Sequence, residues 1–272
     1  MIGRLSQRIV GRVGSGSPLV RLVRPIYAKL LEFAASGSGL RWDVNGSEFR
    51  IHPSLRHLIP HENEPELFHF LKANISPGQT VLDIGSFLGT YAVFEALWTS
   101  PGGRVVAFEP TPDSCRWIET HARFNGVADH LQVVQAVVGE SSGQTRFRVD
   151  PIEPYRNTVA EAELNPAASD IQVPVVTVDE FCARSNLRPD WIRMDVQGFE
   201  FHVLRGARQT IAECGGRLKI VAEMHPYLWP KLGFDQTVAY STMEELGLRA
   251  TTLKPGSGIF EPDGHVLLEC PP

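Results

Sequence analysis

The sequence predicts an α/β protein, a doubly wound and mostly parallel sheet with helices on both faces. Three observations carry this. From residue 80 onward, short apolar segments alternate with amphipathic ones, the pattern of strand–helix–strand units. The apolar segments run into an acid and a turn, as in Val81-Leu82-Asp83-Ile84-Gly85 and Val105-Val106-Ala107-Phe108-Glu109-Pro110. A chain of 272 residues, 43% of them hydrophobic, is long enough to bury one large core.

Residues 1–39 read as a basic extension, with Arg4, Arg8, Arg12, Arg21, Arg24 and Lys29 and no acid before Glu32. Apolar Ile9, Val10, Val13, Leu19, Val20, Leu22 and Val23 lie between them. The pattern fits an arm lying on an anionic membrane surface, a solvated or dimer-contacting helix, or a transit peptide. A flexible 35–39 closes it. Residues 40–78 read as a hairpin and helix cap. Strands over 41–44 and 48–52 turn at Asn45-Gly46, and a helix over 64–74 stops at Ser76-Pro77-Gly78. Residues 79–272 hold the main domain. Strands are predicted over 80–84, 104–109, 131–135, 191–195, 218–223, 248–252 and 265–269, and helices over 89–99, 112–124, 199–213 and 237–246. Segments 145–149 and 173–177 read as an inserted hairpin or extra strands, with a lid or a disordered segment over 150–170 between them. Cys115, Cys182, Cys214 and Cys270 form no C-x-x-C pair, which predicts a reducing, cytoplasmic compartment and no zinc framework. Beyond the basic arm the chain is acidic, which argues against general nucleic-acid binding.

The run Asp83-Ile84-Gly85-Ser86-Phe87-Leu88-Gly89-Thr90 joins a strand to a helix, and Glu109 follows 26 residues after Asp83. Acids at two adjacent strand ends outline a nucleoside crevice. A dinucleotide pattern requires glycine at position 87, and the acid at 83 repels a pyrophosphate. S-adenosylmethionine carries an ammonium, a sulfonium and a ribose diol, and acids suit all three. Glu109 can accept from both ribose hydroxyls. Gly85 lets the backbone approach the methionine part, with Ser86, Gly89, Thr90 and Pro110 along the same turns. Gln135 can read the adenine amino edge, Ala136 can pack on the ring, and Phe87 and Tyr91 can wall the methionine end. The plainer alternatives are a tightened strand–helix turn, strand-end packing at 135–136, and a core role for Tyr91. Two further strands, 191–195 and 218–223, end at Asp195 and Glu223, with His225 two residues on.

Three blocks, VLDIGSFLGT (81–90), VVAFEPTPDSC (105–115) and WIRMDVQGFEFHVLRGA (191–207), resemble the FkbM-type methyltransferase family of S-adenosylmethionine-dependent class I enzymes. The resemblance implies a Rossmann-like sheet of seven strands, one antiparallel, and O-methylation of hydroxyls on sugars, glycans, glycolipids or natural products. The chain departs from the family in two places. Ser86-Phe87 stands where Ala-Asn is common, so an asparagine contact to the cofactor is missing or replaced by the Ser86 hydroxyl. Gln197 stands where glutamate is common, so position 197 supplies no base.

An alcohol acceptor needs in-line placement and a group to take its proton. Asp195 and His225 are the candidates, with Glu223 in support. Asp195 reads equally as a helix cap or a partner of the cofactor's ammonium, and His225 as a structural histidine before Pro226. The same three residues are also candidate ligands for Mg²⁺. His52, His57 and His61 suggest zinc, against which Pro53 and Pro60 break the helix and no cysteine joins them. Tyr155, Arg156, Asn157 and Thr158 are the candidate acceptor-binding residues on the long loop. The alternatives to O-methylation are N- or C-methylation and a non-catalytic cofactor-binding accessory protein. A homo-oligomer is compatible with the sequence.

Overall fold

The computed structural model describes residues 35, 37–151, 157–159 and 167–271. The arginine-rich arm therefore lies outside the described residues. Two compact units divide the chain, one ending at Asn63 and the other starting at Glu64. In the first, β1 (Leu40–Val44) and β2 (Ser47–Ile51) pair antiparallel, with Val44 opposite Ser47. Asn45 and Gly46 between them both take positive φ, the two-residue turn that an Asn-Gly pair selects. The Trp42 ring stacks on His61 at 4.2 Å, and its indole N–H donates to the Ile59 carbonyl at 2.9 Å.

The second unit opens with α1 (Pro65–Asn74), then alternates strand and helix: β3 (Thr80–Ile84), α2 (Thr90–Thr99), β4 (Arg104–Phe108), α3 (Pro112–Phe124) and β5 (Leu131–Val134). An insertion follows, β6 (Val137–Val138), β7 (Gly143–Val149) and β8 (Ser169–Val176). The alternation resumes with α4 (Val178–Ser185), β9 (Trp191–Met194), α5 (Glu200–Arg205), α6 (Arg208–Cys214), β10 (Lys219–Met224), α7 (Gln236–Glu245), β11 (Arg249–Thr252) and β12 (Gly264–Glu269).

Seven strands form one sheet in the order β11-β12-β10-β9-β3-β4-β5. β12 runs antiparallel to both its neighbours, and the other pairings are parallel. The chain winds outward from β3 through β4 to β5, then returns to β9 on the other side. The switch point therefore lies between β3 and β9, and their carboxyl ends open the crevice. Leu82, Ile84, Val106, Ile192, Ile220 and Ala222 fill the sheet with essentially no exposure. Replacing Leu82, Ile84, Ile192 or Ile220 with alanine costs about 2–5 kcal/mol. Among the described residues no helix is long and apolar enough to cross a membrane.

The helix expected over 199–213 is two helices. The break falls at Gly206, where a Cβ would sit 2.0 Å from the Gly139 carbonyl oxygen. Asp179, from α4, then caps α6 by accepting from the Gln209 and Thr210 amides at 2.9 and 2.7 Å. That cap comes from some thirty residues away, so no local pattern announces it. Helix α4 was not foreseen, although Thr177 caps it by accepting from Glu180 N–H at 3.0 Å, a Thr-x-x-Glu signature visible in the sequence. The insertion is a hairpin, β7 with β8, to which β6 adds a short parallel strand.

Candidate active site

The turn after β3 is built by backbone hydrogen bonds. Gly85 and Ser86 amides donate to the Phe108 carbonyl at 2.9 and 3.1 Å, and Gly89 N–H donates to Ser86 O at 2.7 Å. Phe87 N–H donates to Glu109 Oε2 at 3.0 Å, with Phe87 itself at φ 49°. Gly85 takes φ 82°, and a Cβ there would lie 1.9 Å from the Asp195 carbonyl oxygen. Glycine at 85 is thus required first by the close approach of the β3 and β9 exits, and only secondarily by any ligand.

Glu109 is buried, and its Oε1 accepts from both the amide and the hydroxyl of Thr111, at 2.8 and 2.6 Å. Burial pushes this carboxyl up to about 7, against the pull of the Thr111 and Phe87 donors. One pocket collects Gly85, Phe87, Glu109, Pro110, Ala136, Asn157 and Asp195 of the expected residues. Its apolar wall comes partly from the insertion, through Val137, Phe147 and Val159, and from Phe199. These wall residues were missed, although Thr145, Phe147 and Val149 alternate as a one-faced strand does.

Other expected residues lie elsewhere. Asp83, read as an acid for the cofactor's cationic end, is fully buried and outside the pocket lining. Its Oδ1 faces Arg193 Nη1 at 3.2 Å. The Ser86 hydroxyl donates to the Asp83 carbonyl at 2.9 Å. Thr90 is the first residue of α2, and Tyr91 is buried with its ring 4.4 Å from the Arg193 guanidinium carbon. Gln135 reaches the Pro110 carbonyl at 3.5 Å. Thr158 is buried, donating to the Gln197 carbonyl at 3.0 Å, while Asn157 borders the pocket and accepts from Asp150 N–H at 2.8 Å. Tyr155 and Arg156 lie outside the described residues.

Arg193 is the hidden centre of the floor. Burial alone would push its guanidinium down, but Asp83, Asp195 and Glu64 outweigh that and raise it. Glu64 in turn holds the His265 ring at 3.0 Å, and that bond together with Arg193 brings it down to about 2 against burial. Beside this cluster the carboxylate of Glu95, on α2, is fully buried with no hydrogen-bond partner among the described residues. Burial first, then Asp83, raises it well above the carboxylate range. The sequence signal for Arg193 was a charge in the middle of an apolar central strand.

On the other side of the crevice stands a second group. His225 is buried, and its Nδ1 lies 2.7 Å from Glu200 Oε1. Its Nε2 lies 2.8 Å from the Gln197 amide nitrogen, 3.8 Å from Asp195, and 3.9 Å from both Glu223 and Asp263. Burial alone would lower this histidine, but Glu200, Asp195 and Glu223 hold it up, at about 9. Burial also raises Glu223 to about 9, with Asp195 and Glu64 adding to the effect. The three expected catalytic residues are therefore together, with ligand atoms within 4.8 Å of one another, and Glu223 also joins Glu64 and His265. The donors do not fit Mg²⁺. It demands oxygen ligands, and here one of the three is an imidazole nitrogen that already meets Gln197. In the first unit, His52 Nδ1 meets the Ser54 hydroxyl at 2.7 Å and His61 Nδ1 the Asp43 carbonyl at 2.7 Å. Neither joins a three-ligand cluster among the described residues.

A seven-stranded sheet with one antiparallel strand, a glycine turn at its switch point and an acid ending the next strand define a Rossmann-like domain of the methyltransferase class. The Methyltransferase FkbM domain matches residues 83–249, and the chain belongs to the FkbM methyltransferase family. A stretch of 65 residues, 24% of the chain, is 43% identical to the ribosomal protein L11 methyltransferase of Pelotomaculum thermopropionicum and spans 20% of that relative. Among solved structures, the chain is similar to the methyltransferase FkbM from Methylobacillus flagellatus KT. That match has 17% identity and a TM-score of 0.48, and covers 71% of this chain and 44% of that one. It is also similar to the O-methyltransferase from Bacillus cereus in complex with SAH, with 15% identity and a TM-score of 0.49 over 79% of this chain and 85% of that one. The chain thus spans less than half the length of the first two relatives.

Proposed function

We propose that this protein is an S-adenosylmethionine-dependent methyltransferase whose acceptor is a hydroxyl on a sugar, a glycan or glycolipid, or a natural product. The observation that carries the reading is a crevice lined by the carboxylates Glu109 and Asp195, with a buried, carboxylate-backed histidine, His225, behind Asp195 and Gln197. A pyrophosphate ligand is disfavoured by the turn itself. The amides of 85, 86, 87 and 89 all donate within the protein, so they are not turned toward a phosphate.

When bound, the cofactor supplies an electrophilic methyl group on a sulfonium. Pro110, Ala136 and Phe147 can enclose an adenine, and Glu109 Oε2, which accepts from Phe87 N–H alone among the described residues, has a lone pair left for a ribose hydroxyl. Asp195, which lines the pocket, can orient an acceptor hydroxyl, and His225, once it has given up its own Nε2 proton at about 9, can take the hydroxyl's proton there. With the cofactor held by the Glu109 side of the pocket, the chain's part would be to place the acceptor oxygen with Asp195 and to hold the released proton at His225 Nε2. Such general-base help contributes about 10²–10⁴-fold.

Methyl transfer from labelled S-adenosylmethionine to a panel of hydroxylated acceptors tests the reading, alongside calorimetric titration with S-adenosylhomocysteine and with NAD. Binding of the first ligand and not the second, with Asp195→Asn cutting transfer, is the expected result. Binding of NAD alone sinks it. The carboxylates Asp195, Glu223 and Asp263 near His225 favour a second reading, a protonated amine acceptor. Amino and hydroxyl versions of one acceptor, assayed side by side, separate the two.

A further inference from the structure

We propose that Glu200 is the positioning residue of this site, fixing His225 with its proton on Nδ1 so that Nε2 is the atom presented to the acceptor. The inference rests on the methyltransferase reading above, but its geometry does not depend on which acceptor is used.

Glu200 is fully buried in the first turn of α5. Its Oε1 accepts from Gly198 N–H at 2.9 Å and its Oε2 from the Trp229 indole N–H at 2.8 Å. Both partners can only donate, so the carboxylate is oriented whether or not His225 uses it. A Cβ at Gly198 would come within 2.7 Å of Leu228 Cβ, which ties this turn to the segment carrying Trp229. The preset carboxylate meets His225 Nδ1 at 2.7 Å. A lone pair on Nδ1 would put two acceptors face to face there, so Nδ1 carries hydrogen in both charge states of the ring. The one proton left to exchange is the one on Nε2.

The surroundings of Nε2 suit that exchange. Asp195 from the β9 exit and Asp263 from the turn before β12 lie 3.8 and 3.9 Å away, close enough to stabilise the imidazolium formed when the acceptor gives up its proton, with Glu223 from β10 also at 3.9 Å. The Tyr227 ring stands at 6.0 Å, and its hydroxyl donates to Asp263 at 3.1 Å. Gln197 opposes the carboxylates. Its amide nitrogen lies 3.0 Å from Asp195 Oδ1, which only accepts, so the N–H end is turned this way and meets Nε2 as a donor. That contact exists only when Nε2 holds a lone pair. An acceptor hydroxyl replaces this N–H on Nε2 when it binds.

Two measurements test Glu200 separately from the reading it rests on. In the ¹⁵N-histidine spectrum of the full chain, His225 should lose its proton from Nε2 and keep the one on Nδ1 as pH rises through about 9, with no substrate needed. A wild-type Nδ1 that carries no proton overturns the proposal. In the transfer assay, Glu200→Gln should lower kcat by about 10²-fold or more, with KM for S-adenosylmethionine little changed. It should also move the acid limb of the pH profile down by a pH unit or more, because the charge that holds His225 up is gone. A Glu200→Gln protein with the wild-type limb and tautomer overturns the proposal. Trp229→Phe removes only one donor to Glu200 and should keep the Nδ1 proton, which separates lost packing from lost positioning. A chain that transfers no methyl to any acceptor sinks the functional reading and leaves the spectrum to decide on Glu200.

Discussion

The two turns that flank the crevice are built from different materials. The turn after β3, residues 85–89, is held by main-chain donors to Phe108, Ser86 and Glu109. The turn after β9, residues 195–198, is held by side chains, with Gln197 bridging Asp195 and His225 and Glu200 bridging Gly198, His225 and Trp229. Each carries one non-glycine residue in the left-handed region, Phe87 at φ 49° and Gln197 at φ 48°. Strain of this kind costs of order 1–3 kcal/mol and persists only where neighbours over-determine it. In the proposed function the first turn is the cofactor half, preset by backbone, which side-chain changes disturb little. The second is the acceptor half, set by five side chains, so one substitution can retune it.

The largest effect is expected where the two turns meet. In Gly85→Ala the new Cβ would lie 1.9 Å from the Asp195 carbonyl oxygen, a backbone atom that cannot swing aside. Loss of more than about 4 kcal/mol, or failure to fold, is expected. Gly126→Ala is the control. It shares a positive φ, 71°, but has nothing within 4 Å of its Cβ, so it should cost only about 1 kcal/mol. Urea midpoints of the two variants decide. Equal shifts would mean that the two exits are not locked together.

This contrast explains what was legible in the sequence. The seven strands, the switch point and the Gly85–Glu109 half could be read because alternation, glycine and a strand-end acid are local signals. Asp195, Glu223 and His225 were legible as residues at strand ends. Their partners were not. Glu200 and Trp229 are 29 positions apart, Asp83 and Arg193 are 110, and Glu64 and His265 are 201. Asp83 and Ser86 were placed at the cofactor because the motif shows which residues end the strand but not how deeply they are buried. Arg193 was passed over because a strand of Trp, Ile and Met is read as core.

Arg193→Met is the next largest test, since this floor supports both halves. It removes the guanidinium shared by Asp83, Asp195 and Glu64 and should cost about 3–5 kcal/mol by chemical denaturation. Adding Asp83→Asn should restore part of that loss. No recovery in the double variant would mean that Arg193 acts mainly by packing on Tyr91.

Glu109 gives the cofactor half its own pH dependence. Its carboxyl lies at about 7 in the folded protein, above the ordinary 4.5. Below 4.5 both folded and unfolded chains hold the proton, and the full contribution to stability is present. Between 4.5 and 7 the unfolded chain releases its proton while the folded chain keeps it, so stability falls as pH rises, by roughly 3 kcal/mol in all. Above 7 the loss levels off. Thermal melts of Glu109→Gln should lose most of this slope. Affinity for S-adenosylhomocysteine should rise with pH through about 7 in the wild type only, as the carboxylate forms for the ribose.

The smallest effect is the one that isolates the acceptor half. In Gln197→Glu the amide that donates to Asp195 Oδ1 and to His225 Nε2 becomes a carboxylate. It repels Asp195 across 3.0 Å, and it can face Nε2 only when that atom carries a proton. The acid limb of the pH profile should therefore move up by about one unit, equivalent to about 1.4 kcal/mol. Glutamate, common at this position in the proteins the sequence resembles, would leave His225 holding its proton to higher pH. Glutamine makes the same histidine available as a base at lower pH. An unmoved limb in Gln197→Glu would show that Nε2 does not take the proton, and the base would then have to be sought at Asp195.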